Sequence, residues 1–264
     1  MAMDAAAMAV LVADLAAESA DLDRVLAALP EQAWATSTPA VGWTVADQVV
    51  HLAHFDETAT TSALDPDRFR TEAAALVAHG DDFTEVVAQA NRGRAPADLL
   101  AWLRAARAEY LRVFGALDPG TTLPWYGPPM SAASSVTARL METWAHGQDV
   151  VDAVGASREP TSRLRNIAHL GVATRGWSHR VHGEEPPADA VRVGLTAPDG
   201  GLWTWGPVAA GDRVVGTALD FCLLVTQRRH RADLALVATG PAAERWLDVA
   251  QVFAGPPGPG REPS

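Results

Sequence analysis

The chain contains no lysine: each of its 21 basic residues is an arginine. Schiff-base chemistry and catalysis by a lysine amine are therefore excluded. Cysteine is almost as scarce, with Cys222 the one thiol in 264 residues. No internal disulfide can form, which suits a reducing cytoplasm. The setting of Cys222, Leu219-Asp220-Phe221-Cys222-Leu223-Leu224-Val225, predicts a buried, inert thiol rather than a nucleophile. No apolar run approaches the roughly 18 residues that span a bilayer. Asp4 places an acid where an export signal carries positive charge, so a cytoplasmic protein without membrane contact is expected. Positive charge is in short supply, at a net −11, which argues against a nucleic-acid partner. The one basic cluster, Arg228-Arg229-His230-Arg231, reads equally well as a helix C-terminus complementing its dipole. There is no glycine-rich phosphate loop and no internal repeat.

What remains is mostly helical. Ala5 to Leu29 is an amphipathic stretch with Leu11, Leu15, Leu22 and Val25 on its apolar face. Thr44, with Asp47 three residues on, opens a second helix running to about Leu64. A third is expected from about Arg68 to Ala90, broken near Gly80, and a fourth from Pro96 to near Leu117. The aromatic, proline-rich loop Asp118 to Met130 reads either as a pocket wall or as a connector packing Trp125 on the bundle. Ser131 to Ser134 cap a fifth helix, and a sixth follows Pro160 to about Val181. Beyond Pro187 the period changes to two. Val191 to Thr196 and Leu202 to Trp205 flank Pro198-Asp199-Gly200-Gly201 as a β-hairpin. Helices over Gly216 to Arg229 and Pro241 to Phe253 then bracket a strand at Leu234 to Ala238. The expected domains are a helical bundle over 1–183, a small α+β part over 184–254 and a poorly ordered tail over 255–264.

The most informative pair is Glu142 and His146. Four residues apart on a helix, they leave one face about a turn apart. Leu140, Met141, Trp144, Val150 and Val151 make that helix a buried one, where an unpartnered carboxylate is costly. A divalent cation would remove the cost. So would an arginine partner, and Arg139 is nearest in sequence. A third metal ligand would come from His51 or His54, and two histidines with one carboxylate leave coordination positions open, as catalytic rather than structural sites do.

Gly42-Trp43-Thr44-Val45-Ala46-Asp47 leading into His51-Leu52-Ala53, followed by Glu142-x-x-x-His146-x-x-Asp149-Val150, resembles the DinB-type four-helix bundle. More narrowly, it resembles the actinobacterial branch of mycothiol-dependent maleylpyruvate isomerases and mycothiol S-transferases. The runs Ala218 to Arg231 and Phe253 to Gly260 resemble a metal-binding subgroup of that branch. The resemblance implies a mainly α fold, a DinB-like four-helix bundle with a small C-terminal α+β domain. It also implies a divalent metal, zinc first and nickel, iron or manganese as alternatives, on His51, Glu142 and His146. His54 is then a pocket or supporting residue, and Asp149 a candidate acceptor for the other ring N–H of His146. Trp125 and Tyr126 are candidate pocket walls. Arg229, Arg231 and Arg175 are candidate carboxylate binders.

The activity implied is activation of a low-molecular-weight thiol, mycothiol or a similar one, for S-transfer to an electrophilic small molecule or for its cis–trans isomerisation, in a monomer or homodimer. The alternatives are a metal-dependent hydrolase or biosynthetic cyclase using the ion as Lewis acid, and a non-catalytic metal- or ligand-binding protein.

Overall fold

A computed structural model describes residues 3–80, 83–258 and 260–263. They fall into two compact units, Met1–Arg158 and Glu159–Ser264. In the first, α1 (Ala5–Ala28) and α2 (Val45–Leu64) are followed by α3 (Pro66–Val77), α4 (Phe83–Asn91), α5 (Pro96–Phe114) and α6 (Ala132–Val154). The short strands β1 (Thr122–Leu123) and β2 (Met130–Ser131) pair just before α6. Helices α1, α2, α5 and α6 make a four-helix bundle, α1 and α2 each packing on both α5 and α6. Leu22, Leu26, Val49, Leu52, Leu99, Leu103 and Val150 fill part of its core, each large side chain contributing roughly 1.5–3 kcal/mol of hydrophobic burial.

The starts of these helices are chemically marked. Thr44 and Asp47 close a capping box on α2, and Ser131 accepts from Ser134 N at 3.1 Å on α6. The helix expected from Arg68 to Ala90 is two helices. Gly80 adopts φ +88, a left-handed conformation natural to glycine, and residues 81–82 lie outside the described part.

A polar cluster joins the four bundle helices. Asp56 of α2 is fully buried and accepts from Arg107 of α5 at 2.6 and 3.1 Å and from Arg139 of α6 at 2.9 Å. Arg107 also donates to Ser19 of α1 at 2.5 Å and to Thr143 of α6 at 2.9 Å. Arg139 reaches the Leu52 carbonyl at 3.2 Å. Arg139 is thus turned to Asp56 and the α2 backbone, not to Glu142.

The second unit holds α7 (Leu164–Ala173), α8 (Arg175–Val181), β3 (Val191–Thr196), β4 (Leu202–Trp205), β5 (Asp212–Thr217), α9 (Ala218–Val225), β6 (Val237–Thr239) and α10 (Pro241–Val249). Its sheet has the order β4-β3-β5-β6, with β3 and β5 parallel and the other pairs antiparallel. The expected hairpin is present as β3 and β4, whereas β5 is an addition that period-two patterning did not mark. The division falls at Arg158 rather than 183, because α7 packs on α9 and α8 on α10. Gly171 of α7 lies so near Phe221 and Val225 of α9 that a Cβ there would sit 3.0–3.1 Å from them. The helix expected after Pro160 is two, meeting at Thr174. The helix expected to reach Arg229 stops at Val225, just before Gln227 takes φ +56. Of the expected tail, residues 255–258 and 260–263 are described and form no helix or strand. No helix among the described residues is long and apolar enough to cross a membrane.

Two stability predictions follow from the first unit's interior. Asp56→Ala would leave two arginines buried without a counter-charge and should cost about 3–5 kcal/mol in denaturant unfolding, well beyond the roughly 1 kcal/mol of Ser19→Ala. Equal losses for the two variants would refute this. The second concerns His54, whose imidazole is pushed down to about 4, first by burial and then by the charges of His51 and Arg139, with Glu72 opposing. Between pH 6.5 and 4 the unfolded chain takes up a proton that the folded one refuses, so stability falls as pH drops through that window. His54→Gln should remove this loss, about 2.5 kcal/mol at pH 4.5. Parallel pH profiles of unfolding free energy for wild type and variant would show otherwise.

Candidate metal centre

His51 sits midway along α2, and Glu142 and His146 lie one turn apart on α6, the helix packed against it. Both imidazoles turn Nε2 toward the same carboxylate oxygen. Glu142 Oε2 is 3.3 Å from His51 Nε2 and 2.9 Å from His146 Nε2. One donor atom from each of the three residues lies within 4.8 Å of the others, the one such group found among the described residues. Three tetrahedral ligands at zinc distances stand about 3.3 Å apart, so the spacing fits a single divalent ion. The histidine side chains are 13% and 10% exposed and Glu142 is 23% exposed, so the cluster is largely shielded from solvent and Glu142 is its most open member. Burial alone would raise the Glu142 carboxyl, but His146 and His51, which in their protonated forms donate Nε2–H to it and carry positive charge, outweigh burial and hold it well below the usual carboxylate range.

The surroundings fix the rings. His146 Nδ1 lies 2.5 Å from Gln48 Oε1, so the acceptor expected at Asp149 is found instead on α2. Asp149 itself is fully buried on α6. It follows His146 by three along one helix, whereas Nδ1 faces the neighbouring one. Trp43 stacks near His146, with centroids 6.0 Å apart and planes at 21°, and lies 5.5 Å from His51. Phe55 also packs on His51, with centroids 4.6 Å apart. The Trp43 turn is tied down by its indole N–H to Glu85 at 3.1 Å and by Arg92, which reaches the Gly42 carbonyl and Asp47, both at 3.2 Å. Gln48 and Phe55 were not singled out in the sequence, and Trp43 entered only as part of the Gly42–Asp47 motif with no role assigned; no residue-type signal marks a neutral amide or an aromatic wall.

His54 stands outside the three-residue cluster. With Thr58, Phe69, Glu72, Leu76 and Tyr126 it lines a cavity of about 400 Å³. Tyr126 is thus a cavity wall, 5.8 Å from Phe55, while Trp125 stacks on Phe69 at 5.9 Å. In the second unit Arg229 and Arg231 line a cavity of about 680 Å³ with His182, His230 and Arg261. The carboxylates that Arg231 meets are the protein's own, Glu244 and Asp248 of α10. Arg175 is spent on backbone, donating to the carbonyls of Asp189 at 2.9 Å and Pro187 at 3.4 Å.

The chain is similar to known proteins along most of its length. Residues 15–151 match a family model described as the mycothiol maleylpyruvate isomerase N-terminal domain, a span that includes His51, Glu142 and His146. Residues 187–239 match a second model, described as wyosine base formation. Two uncharacterised proteins of Mycobacterium tuberculosis, from strains H37Rv and CDC 1551, are 50% identical over 250 residues, covering 95% of this chain and 97% of each relative. Crystal structures of a mycothiol-dependent maleylpyruvate isomerase and of its histidine-to-alanine mutant superpose with TM-scores of 0.58 and 0.59. At 13% and 12% identity, over 89% of this chain and 95% of those chains, they share the fold. The chain belongs, through its N-terminal bundle, to the DinB-like superfamily of mycothiol maleylpyruvate isomerases.

Proposed function

We propose that this protein is a divalent-metal-dependent enzyme that activates a low-molecular-weight thiol of the mycothiol type, for transfer to an electrophilic small molecule or for cis–trans isomerisation of one. The observation that carries the reading is the meeting of two imidazole nitrogens and one ionised carboxylate from two helices. That donor set suits zinc and leaves coordination positions open. When bound, such an ion supplies the charge that keeps a thiol ionised near neutral pH. The residues do the rest. His51, Glu142 and His146 would hold the ion. Trp43 packs on both histidines and Phe55 on His51, and the partly exposed Glu142 marks the side from which ligands enter. In an isomerisation the thiolate sulfur forms a bond to one carbon of a conjugated double bond, whose π pair moves onto the substrate's carbonyl. The resulting single bond rotates, and expulsion of the same thiolate restores the double bond. In a transfer, the sulfur displaces a leaving group or opens a ring and stays bound.

A second reading, biosynthetic chemistry on a base with the ion as Lewis acid, is supported by the match of residues 187–239 to the wyosine-formation model. The two differ in their need for thiol.

His146→Ala should lose stoichiometric zinc after dialysis, by more than the roughly 10- to 100-fold that loss of an outer-sphere partner costs. It should lose thiol-dependent turnover with it. Metal content and a panel of electrophiles, assayed with mycothiol, a generic thiol and no thiol, measure both. Turnover that survives chelation, or a variant as active as wild type, would overturn the metal mechanism; turnover needing metal but no thiol would favour the second reading.

A further inference from the structure

We infer that Gln48 is a positioning residue that decides which nitrogen of His146 faces the candidate metal centre, an inference that rests on reading that centre as metal-binding. The argument is a chain of donors and acceptors. Thr38 Oγ1 donates to the Trp43 carbonyl at 2.9 Å. With its one proton committed, the hydroxyl accepts from Gln48 Nε2 at 2.8 Å. The amide nitrogen is thereby turned to Thr38 and the amide oxygen to His146, 2.5 Å from Nδ1. A carbonyl oxygen only accepts, so Nδ1 carries the hydrogen. In the neutral ring the lone pair then sits on Nε2, the atom 2.9 Å from Glu142 Oε2 and within the three-residue cluster.

Gln48 works against a competitor. The Glu142 carboxylate favours a hydrogen on Nε2, where it would occupy the ligating lone pair. A neutral ring has one N–H, and Gln48 draws it to Nδ1. Nε2 and the carboxylate are left as facing electron pairs, an arrangement that a cation between them satisfies. Gln48 is fully buried, as is most of Thr38, so water does not substitute for either. Because the amide is uncharged, it orients the ring without adding a second negative charge near Glu142, which an acid in its place would do.

The test uses nitrogen NMR of the histidine rings in metal-free protein at alkaline pH, together with zinc titration. Wild type should show His146 as the Nδ1–H tautomer. Gln48→Met, apolar and of similar length, should shift it toward Nε2–H and weaken zinc binding about 10- to 100-fold. Gln48→Glu, which can accept the same hydrogen, should restore the tautomer and most of the affinity. Thr38→Val, which frees the amide to turn over, should give a mixed tautomer and a smaller loss; it decides the matter if the methionine variant does not fold. An Nδ1–H tautomer and zinc affinity unchanged in Gln48→Met, or in Thr38→Val if that must stand in, would overturn the inference. A wild type that binds no divalent metal would instead sink the functional reading, while the tautomer in metal-free protein would still decide the role of Gln48.

Discussion

The bundle depends on one carboxylate shared by two guanidiniums. Asp56 accepts from Arg107 and Arg139, and through Ser19 and Thr143 the cluster touches α1, α2, α5 and α6. Taking these charges out of water costs several kcal/mol per ion, and apolar side chains of the same volume would often do as well for stability. What apolar packing lacks is direction. Arg139 can meet both Asp56 and the Leu52 carbonyl at only one rotation and one offset of α6 against α2. Arg139 precedes Glu142 by one turn, and Leu52 follows His51 directly. The offset that satisfies the guanidinium is therefore the one that brings His51 opposite Glu142 and His146.

The same economy separates structural from functional charge. Arg139 could have neutralised Glu142, being one turn away on the same helix. Its engagement with Asp56 leaves Glu142 to two imidazoles, which in their protonated forms outweigh its burial. Structural ion pairs often mimic functional ones in sequence. Here the two sit side by side on α6 and are told apart by the partners each side chain meets, Asp56 and the Leu52 carbonyl for Arg139 and two imidazoles for Glu142.

That distinction also sets how much could be read from residues alone. Glu142 and His146 were legible because their relation is local, a spacing of four on a helix marked as buried by its apolar neighbours. The start of α2 was legible in Thr44 and Asp47 for the same reason. The choice between His51 and His54 was not local. It came from likeness to a family; in the structure His51, not His54, lies in the three-residue cluster. Gln48 escaped notice because its contact spans 98 positions and a glutamine in a helix is usually solvated. Asp149 was the natural guess at i+3, but i+3 looks along the helix and the ring nitrogen looks across to the next one. Strand β5 was missed because Asp212-Arg213-Val214-Val215-Gly216-Thr217 buries only Val214 and carries a glycine next to its last residue. A Cβ on Gly216 would come within 2.9 Å of the Ala235 carbonyl and nearer still to Leu236.

The chemical inventory and the site constrain each other. A chain without lysine has no amine nucleophile on its side chains, and its single thiol offers no replacement. Cys222 is fully buried in α9, its sulfur 3.5 Å from the Leu164 carbonyl, away from the solvent access that a reactive cysteine needs. The histidines best placed to act as bases, His51 and His146, have their Nε2 atoms committed to Glu142. His54, with its imidazole held down to about 4, is a weak base. A protein with so few reactive groups can still do covalent chemistry if the nucleophile arrives with a ligand and the site needs only to ionise and aim it. Two histidines and a glutamate, held open on the carboxylate side and walled by Trp43 and Phe55, suit that division of labour.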